Sequence, residues 1–192
     1  TGVFTIAAPN GNTNRTLTLP DEAGTIITTT SLPSIPNPLT SGTAVATTSG
    51  TAIDFTGIPS WAKRITLLFN AVSTVGGSAY KVQIGSGSFS TSGYAGSTVY
   101  AGTSTSGTNN TTGFIMWRGS AGEAQSGSFI IHLIEGTIYI GSGVLGYTSA
   151  QNYTSMGGGT SPALSGTLDR IRLTTINGTE AFDAGSINIM YE

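Results

Sequence analysis

Apolar residues in this chain recur at every second position, in short runs, and nowhere with the 3.6-residue period of a helix. Tyr80, Val82 and Ile84 alternate with Lys81 and Gln83, as in a strand with one face on a core and one in water. Ile65, Leu67 and Phe69 share a face in the same way, in a run entered through a turn that Pro59 stiffens and Trp61 covers. The pattern predicts strands over residues 43–48, 51–56, 64–72, 79–84, 112–117, 128–134, 137–140, 168–175 and 186–191. Such a series of short strands predicts an all-β fold of two packed antiparallel sheets, a jelly-roll-like β-sandwich. One run is apolar on both faces, with Phe129, Ile131 and Leu133 opposed to Ile130, His132 and Ile134. One of these faces has to meet the second sheet and the other a neighbouring subunit or a covering loop.

Near the C-terminus, Asn177-Gly178 stands between two extended runs, a pattern that favours a hairpin with a type I′ turn. That turn pairs Ile176 with Thr179, Leu173 with Phe182 and Arg172 with Asp183. Leu173 and Phe182 then face the core, which puts even-numbered positions of the returning strand inside. Beyond Gly185 the apolar positions are odd: Ile187, Ile189 and Tyr191. Because side chains alternate strictly along a strand, a β-bulge or break is predicted at Ala184-Gly185.

The chain has 192 residues, long enough to bury a real core, and a net charge of −2 with only 7 basic residues. Nucleic acid is therefore not an expected partner, since its affinity depends on neutralising several phosphates. No apolar stretch approaches the length of a membrane span, so membrane insertion is not expected either. The absence of Cys removes thiolate metal sites and disulfides, and a single His makes a histidine-ligated metal improbable. No cofactor is expected. Gly141-Ser-Gly-Val-Leu-Gly146 matches a dinucleotide fingerprint, but no helix or βαβ unit follows, and it reads as a Gly-rich loop. His132 lies mid-strand between Ile131 and Leu133, where a packed or interface histidine is expected. Asp54, Glu123, Glu135, Asp169 and Glu180 are scattered singly, whereas glycoside hydrolysis needs two facing carboxylates. The expectation is a protein that binds without catalysis.

Two long segments, residues 85–111 and 142–167, resist assignment as strands and are rich in Gly, Ser, Thr, Asn and Tyr. Long loops are uncommon unless they are functional or disordered. Tyr offers a flat apolar face with a hydroxyl, and Asn offers neutral donors and acceptors, which together suit a sugar or a protein surface. Tyr94, Tyr100, Asn109 and Asn110 in the first loop, with Tyr147, Asn152 and Tyr153 in the second, are the candidate receptor contacts. For each Tyr the competing role is to anchor its loop to the sandwich.

Upstream, residues 31–40 hold three Pro and form a stiff linker between a segment over 1–30 and a β-sandwich head over 41–192. Three stretches resemble one family. Asn14-Arg-Thr-Leu-Thr-Leu-Pro-Asp-Glu-Ala-Gly-Thr-Ile-Ile-Thr-Thr29 resembles a motif of the shafts of bacteriophage tail fibre proteins. Gly50-Thr-Ala-Ile-Asp-Phe-Thr-Gly-Ile-Pro-Ser-Trp-Ala-Lys-Arg-Ile-Thr-Leu-Leu-Phe-Asn-Ala-Val-Ser-Thr74 and the ending from Leu168 to Glu192 resemble their head domains. The resemblance implies a short trimeric shaft over 1–30, with Leu17, Leu19, Ile26 and Ile27 buried between chains; the alternative is an N-terminal hairpin on its own domain. It further implies a homotrimer in the virion tail, extracellular once released and made in the bacterial cytoplasm. Its N-terminus would join other tail proteins, and its head would bind a bacterial surface receptor, glycan or protein. A polysaccharide depolymerase with an intersubunit site, or a structural connector, are the alternatives. The start at Thr1-Gly2 reads as that of a piece cut from a longer chain.

Overall fold

The computed structural model describes Gly11, residues 39–147 and residues 153–192. The expected shaft motif lies outside the described residues, as do all but the last two residues of the Pro-rich linker. The second of the two units of the chain, Asn37–Glu192, holds every strand described. There are 14 of them: β1 Thr40–Ser41, β2 Val45–Ala46, β3 Ala52–Thr56, β4 Arg64–Thr74, β5 Tyr80–Ser86, β6 Ser88–Phe89, β7 Ala95–Ala101, β8 Thr105–Asn110, β9 Phe114–Met116, β10 Gln125–Glu135, β11 Ile138–Tyr147, β12 Thr154–Thr160, β13 Arg170–Thr175 and β14 Phe182–Tyr191.

These strands form two antiparallel sheets. The larger runs β1-β14-β4-β10-β11-β12-β7-β8, with β2 also on β14, and the smaller runs β3-β13-β5-β6, with β9 also on β5. The all-β, sandwich-like expectation holds. One core fills the space between the sheets: Ile65, Leu67, Phe69, Phe129, Ile131, Tyr139 and Leu145 come from the large sheet, and Val82, Ile84, Phe114 and Ile171 from the small one. Trp61 packs at its margin, edge-on to Tyr191 with ring centroids 5.8 Å apart.

Three sequence expectations need correction. First, residues 85–111 and 142–167 are largely strand, since they contain β6, β7, β8, the end of β11 and all of β12. The would-be loop Gly141–Gly146 sits inside β11. β7 and β12 lack apolar alternation because one stretch of the large sheet is covered at very close range by β9 and the residue before it. A Cβ on Gly157 would overlap the Ile115 carbonyl oxygen, and one on Gly96 would lie 2.9 Å from that of Gly113. Glycine is required there by space, and in a sequence it reads as a loop.

Second, Asn177-Gly178 does not make a hairpin. Of the two residues only Gly178 has positive φ, at 70°, whereas a type I′ turn needs both. The turn closes from the Gly178 N–H to the Thr175 carbonyl at 3.1 Å, with the Asn177 side chain accepting from Thr175 Oγ1 and the Thr179 N–H. It is a corner that carries the chain from β13 in the small sheet to β14 in the large one. Third, and for the same reason, Arg172 pairs with Asp54 on β3, bidentately at 2.7 Å, while Asp183 accepts from Ser73.

The bulge prediction holds. Register shifts fall between Phe182 and Ala184 and between Ala184 and Ser186, Gly185 has φ 91°, and Phe182, Ile187 and Ile189 are all buried.

Candidate functional site

Where β7, β11 and β12 end together, the inner face of the large sheet extends past the cover of the small one. Tyr147 leaves the end of β11, and its N–H donates to the carbonyl of Tyr153, just before β12. One step further across, Tyr100 on β7 pairs in register with Ser155. The three rings therefore follow from strand pairing: positions of like parity on neighbouring strands project from the same face. Tyr147 and Tyr153 meet edge to face at 5.9 Å, Tyr153 and Tyr100 at 5.5 Å, and Tyr100 lies 5.0 Å from Trp117 at a tilt of 35°. With Gly119, Ser120 and Glu123 they line an open cleft of about 250 Å³.

The far wall is the loop after β9. Trp117 is oriented by its own N–H, which donates to Thr98 Oγ1 at 2.9 Å, and its carbonyl accepts from Gln125 Nε2 at 3.0 Å. Arg118, 2% exposed, turns inward. Its guanidinium donates to the carbonyls of Thr74, Gly76 and Glu123 and to the Thr74 hydroxyl, and lies 5.5 Å from the centre of the Tyr80 ring. A buried arginine satisfied by carbonyls fixes the loop from both ends. The Glu123 carboxylate lines the cleft, its Oε2 accepting from the N–H groups of Gly119 and Ser120 at 3.0 Å each. Burial pushes the Tyr147 phenol up to about 12; the nearby Glu123 charge adds to this, while Arg118 and Gln125 work against it. Tyr147 thus stays a neutral donor at any physiological pH.

Of the seven candidates taken from the sequence, the structure brings Tyr100, Tyr147 and Tyr153 together. Tyr94 is a correction: it is 2% exposed, its hydroxyl accepts from the Ile84 N–H and shares its one proton between the carbonyls of Ser90 and Ile84, and its ring packs edge-on against Phe114. It anchors the chain before β7 and offers no ring face to a ligand. Asn109 and Asn110 lie on β8, away from the cleft lining; Asn109 is exposed, and Asn110 caps the turn that follows by accepting from the N–H and hydroxyl of Thr112. Asn152 lies outside the described residues. Sequence reasoning missed Trp117 and Glu123, because Trp117 closes the strand predicted over 112–117 and Glu123 is one of the singly scattered acids. The available signal was a Trp directly followed by a polar, Gly-containing turn.

Among the described residues, further clefts lie elsewhere. One, of about 330 Å³, lies over the small sheet and is lined by Lys81, Gln83, Thr112, Arg172 and Thr174 among others; the second, of about 190 Å³, lies around Phe89 and Leu164. Among the described residues no cluster of His, Cys, Asp or Glu could hold a metal ion, and no helix is long and apolar enough to cross a membrane. The chain matches no family model, and neither the curated proteins nor the solved structures contain a significant match to it.

Proposed function

We propose that this chain is the receptor-binding head of a bacteriophage tail fibre, a homotrimeric, jelly-roll-like sandwich that attaches the virion to a bacterial surface by binding carbohydrate. The observation that carries the reading is the convergence of Tyr100, Trp117, Tyr147 and Tyr153 on one open cleft. Aromatic faces match the C–H faces of a sugar ring, and phenolic hydroxyls with a fixed carboxylate match its hydroxyls. Among the described residues that line the cleft Glu123 is the one carboxylate, whereas hydrolysis of a glycosidic bond uses two, and on this reading the site binds and does not cut.

The outer face of the large sheet supports the trimer. Leu68, Ser128, Val144, Met156 and Val99 stand in register across β4, β10, β11, β12 and β7, with Val144 51% and Met156 40% exposed. A mainly apolar band of this kind suits contact with another copy of the chain, and three heads on one axis turn weak sugar contacts into firm adhesion.

The test is a screen of the purified protein against glycan arrays and bacterial cells, with Trp117→Ala and Tyr153→Ala beside it. Both variants should lose binding while keeping the fold by circular dichroism. Undiminished binding by both would remove the cleft as the site, release of reducing ends from a bound polysaccharide would show an enzyme instead, and a stable monomer by mass measurement would overturn the trimer.

A further inference from the structure

We infer that the cleft accepts an uncharged hexose and rejects the corresponding uronic acid, with Glu123 as the residue that sets this selectivity; the inference rests on the carbohydrate reading above. Among the described residues that line the cleft, Glu123 is the only charged side chain. It is 9% exposed, and its loop holds it still, because Oε2 accepts from both the Gly119 and Ser120 N–H groups. Oε1 has no hydrogen-bond partner among the described residues, which leaves an acceptor for a ligand hydroxyl. Such a bond, from a neutral donor to a carboxylate, is stronger than one between two neutral groups.

The nearby cation gives an acidic ligand no direct partner, and at Tyr147 in the cleft its charge counts for less than that of Glu123. Arg118 is 2% exposed, points away from the cleft, and spends its donors on Thr74, Gly76 and the Glu123 backbone. A ligand carboxylate in the cleft would therefore face a fixed carboxylate with no opposing charge in the lining, in surroundings drier than bulk water. A space of about 250 Å³ takes roughly one sugar ring, so a carboxyl on any carbon of that ring stays within a Debye length of Glu123. Selectivity of this kind works by penalising the wrong ligand, through repulsion that the right one does not meet.

The experiment uses immobilised oligosaccharides of the gluco, galacto and manno series, each as the neutral hexose, the hexuronic acid and the methyl ester of that acid. For whichever series binds, the wild-type protein should hold the neutral sugar and the ester alike and the free acid at least about tenfold more weakly. In Glu123→Gln, whose amide oxygen can still accept from Gly119 and Ser120, the gap between acid and ester should narrow to within about threefold. The comparison of ester with acid needs only wild-type protein, so it stands even if the variant folds poorly. Free acid bound as tightly as its ester overturns this inference and leaves the carbohydrate reading intact. Binding to none of the three forms in any series overturns both.

Discussion

Gly185 of β14 and Ala71 of β4 lie against each other with both backbones in the left-handed region, at φ 91° and φ 50°. A Cβ on Gly185 would sit 2.6 Å from the Asn70 carbonyl oxygen and overlap that of Ala71. Each strand carries one extra residue here. Pairing therefore resumes in its original register, with Thr74 opposite Phe182 and Asn70 opposite Ser186. Both strands change parity together: Phe69 and Val72 are buried on β4, as are Phe182 and Ile187 on β14. The prediction is asymmetric. Gly185→Ala adds a side chain to a strained conformation with no room for it and should cost about 2–4 kcal/mol in denaturant unfolding. Ala71→Gly relieves the same conformation on the partner strand and should change stability by less than about 1 kcal/mol, in either direction. Equal losses would mean that the two bulges are not held by this contact.

Arg118→Met should destabilise the protein by about 3 kcal/mol, because the buried carbonyls of Thr74 and Glu123 lose this donor together. Arg118→Lys should recover little, since a single ammonium cannot reach acceptors at residues 74, 76 and 123 with one geometry. Hydrogen exchange should show the loop around residues 117–124 opening first. Protection there equal to wild type would mean that the loop is held by Trp117 and Glu123 alone.

Tyr94 and Tyr153 should separate stability from binding. Tyr94→Ala removes a buried ring together with the hydroxyl that bonds Ile84 and Ser90, and should cost about 3–5 kcal/mol. Tyr153→Ala removes a half-buried ring at the cleft and should lower stability by less than about 1.5 kcal/mol while abolishing binding. Melting curves and the cell-binding assay on the same two proteins decide this, and a reversed pattern would make Tyr153 structural.

Stability should fall in strong alkali. Burial pushes the Tyr94 phenol from 10.0 up to about 12, against the hydrogen bonds to Ile84 and Ser90, which favour ionisation. The folded state therefore holds its proton more tightly than the unfolded state does. The contribution is whole below about pH 10 and is lost as pH rises from 10 through 12, on the order of 2 kcal/mol. Tyr94→Phe should be less stable at neutral pH and should show a shallower decline over that interval in thermal melts. An unchanged slope would assign the alkaline loss to Tyr80 and Tyr147, which burial raises in the same direction.

Alternation alone made the heart of the sandwich legible. Ile65, Leu67 and Phe69, or Val82 and Ile84, are buried because a strand shows every second side chain to one side, a local rule that needs no knowledge of the partner. The parity change near Gly185 was legible for the same reason, even though the hairpin first invoked to explain it does not exist: Phe182 and Ile187 are both too apolar to leave outside. Strand partnership was not legible. Asn177-Gly178 turns the chain whether the next strand continues the same sheet or crosses to the other, and only the packing of both sheets selects the second course. Nor were β7 and β12 recognisable, since Gly96 and Gly157 answer to the nearness of the β9 segment, a partner that local sequence does not reveal. The candidate cleft divides along the same line. The chemistry of Tyr100, Tyr147 and Tyr153 was evident from residue type, but their meeting with Trp117 and Glu123 depends on four chain segments brought to one end of the fold, and their separation from buried Tyr94 depends on which side of a strand each one leaves.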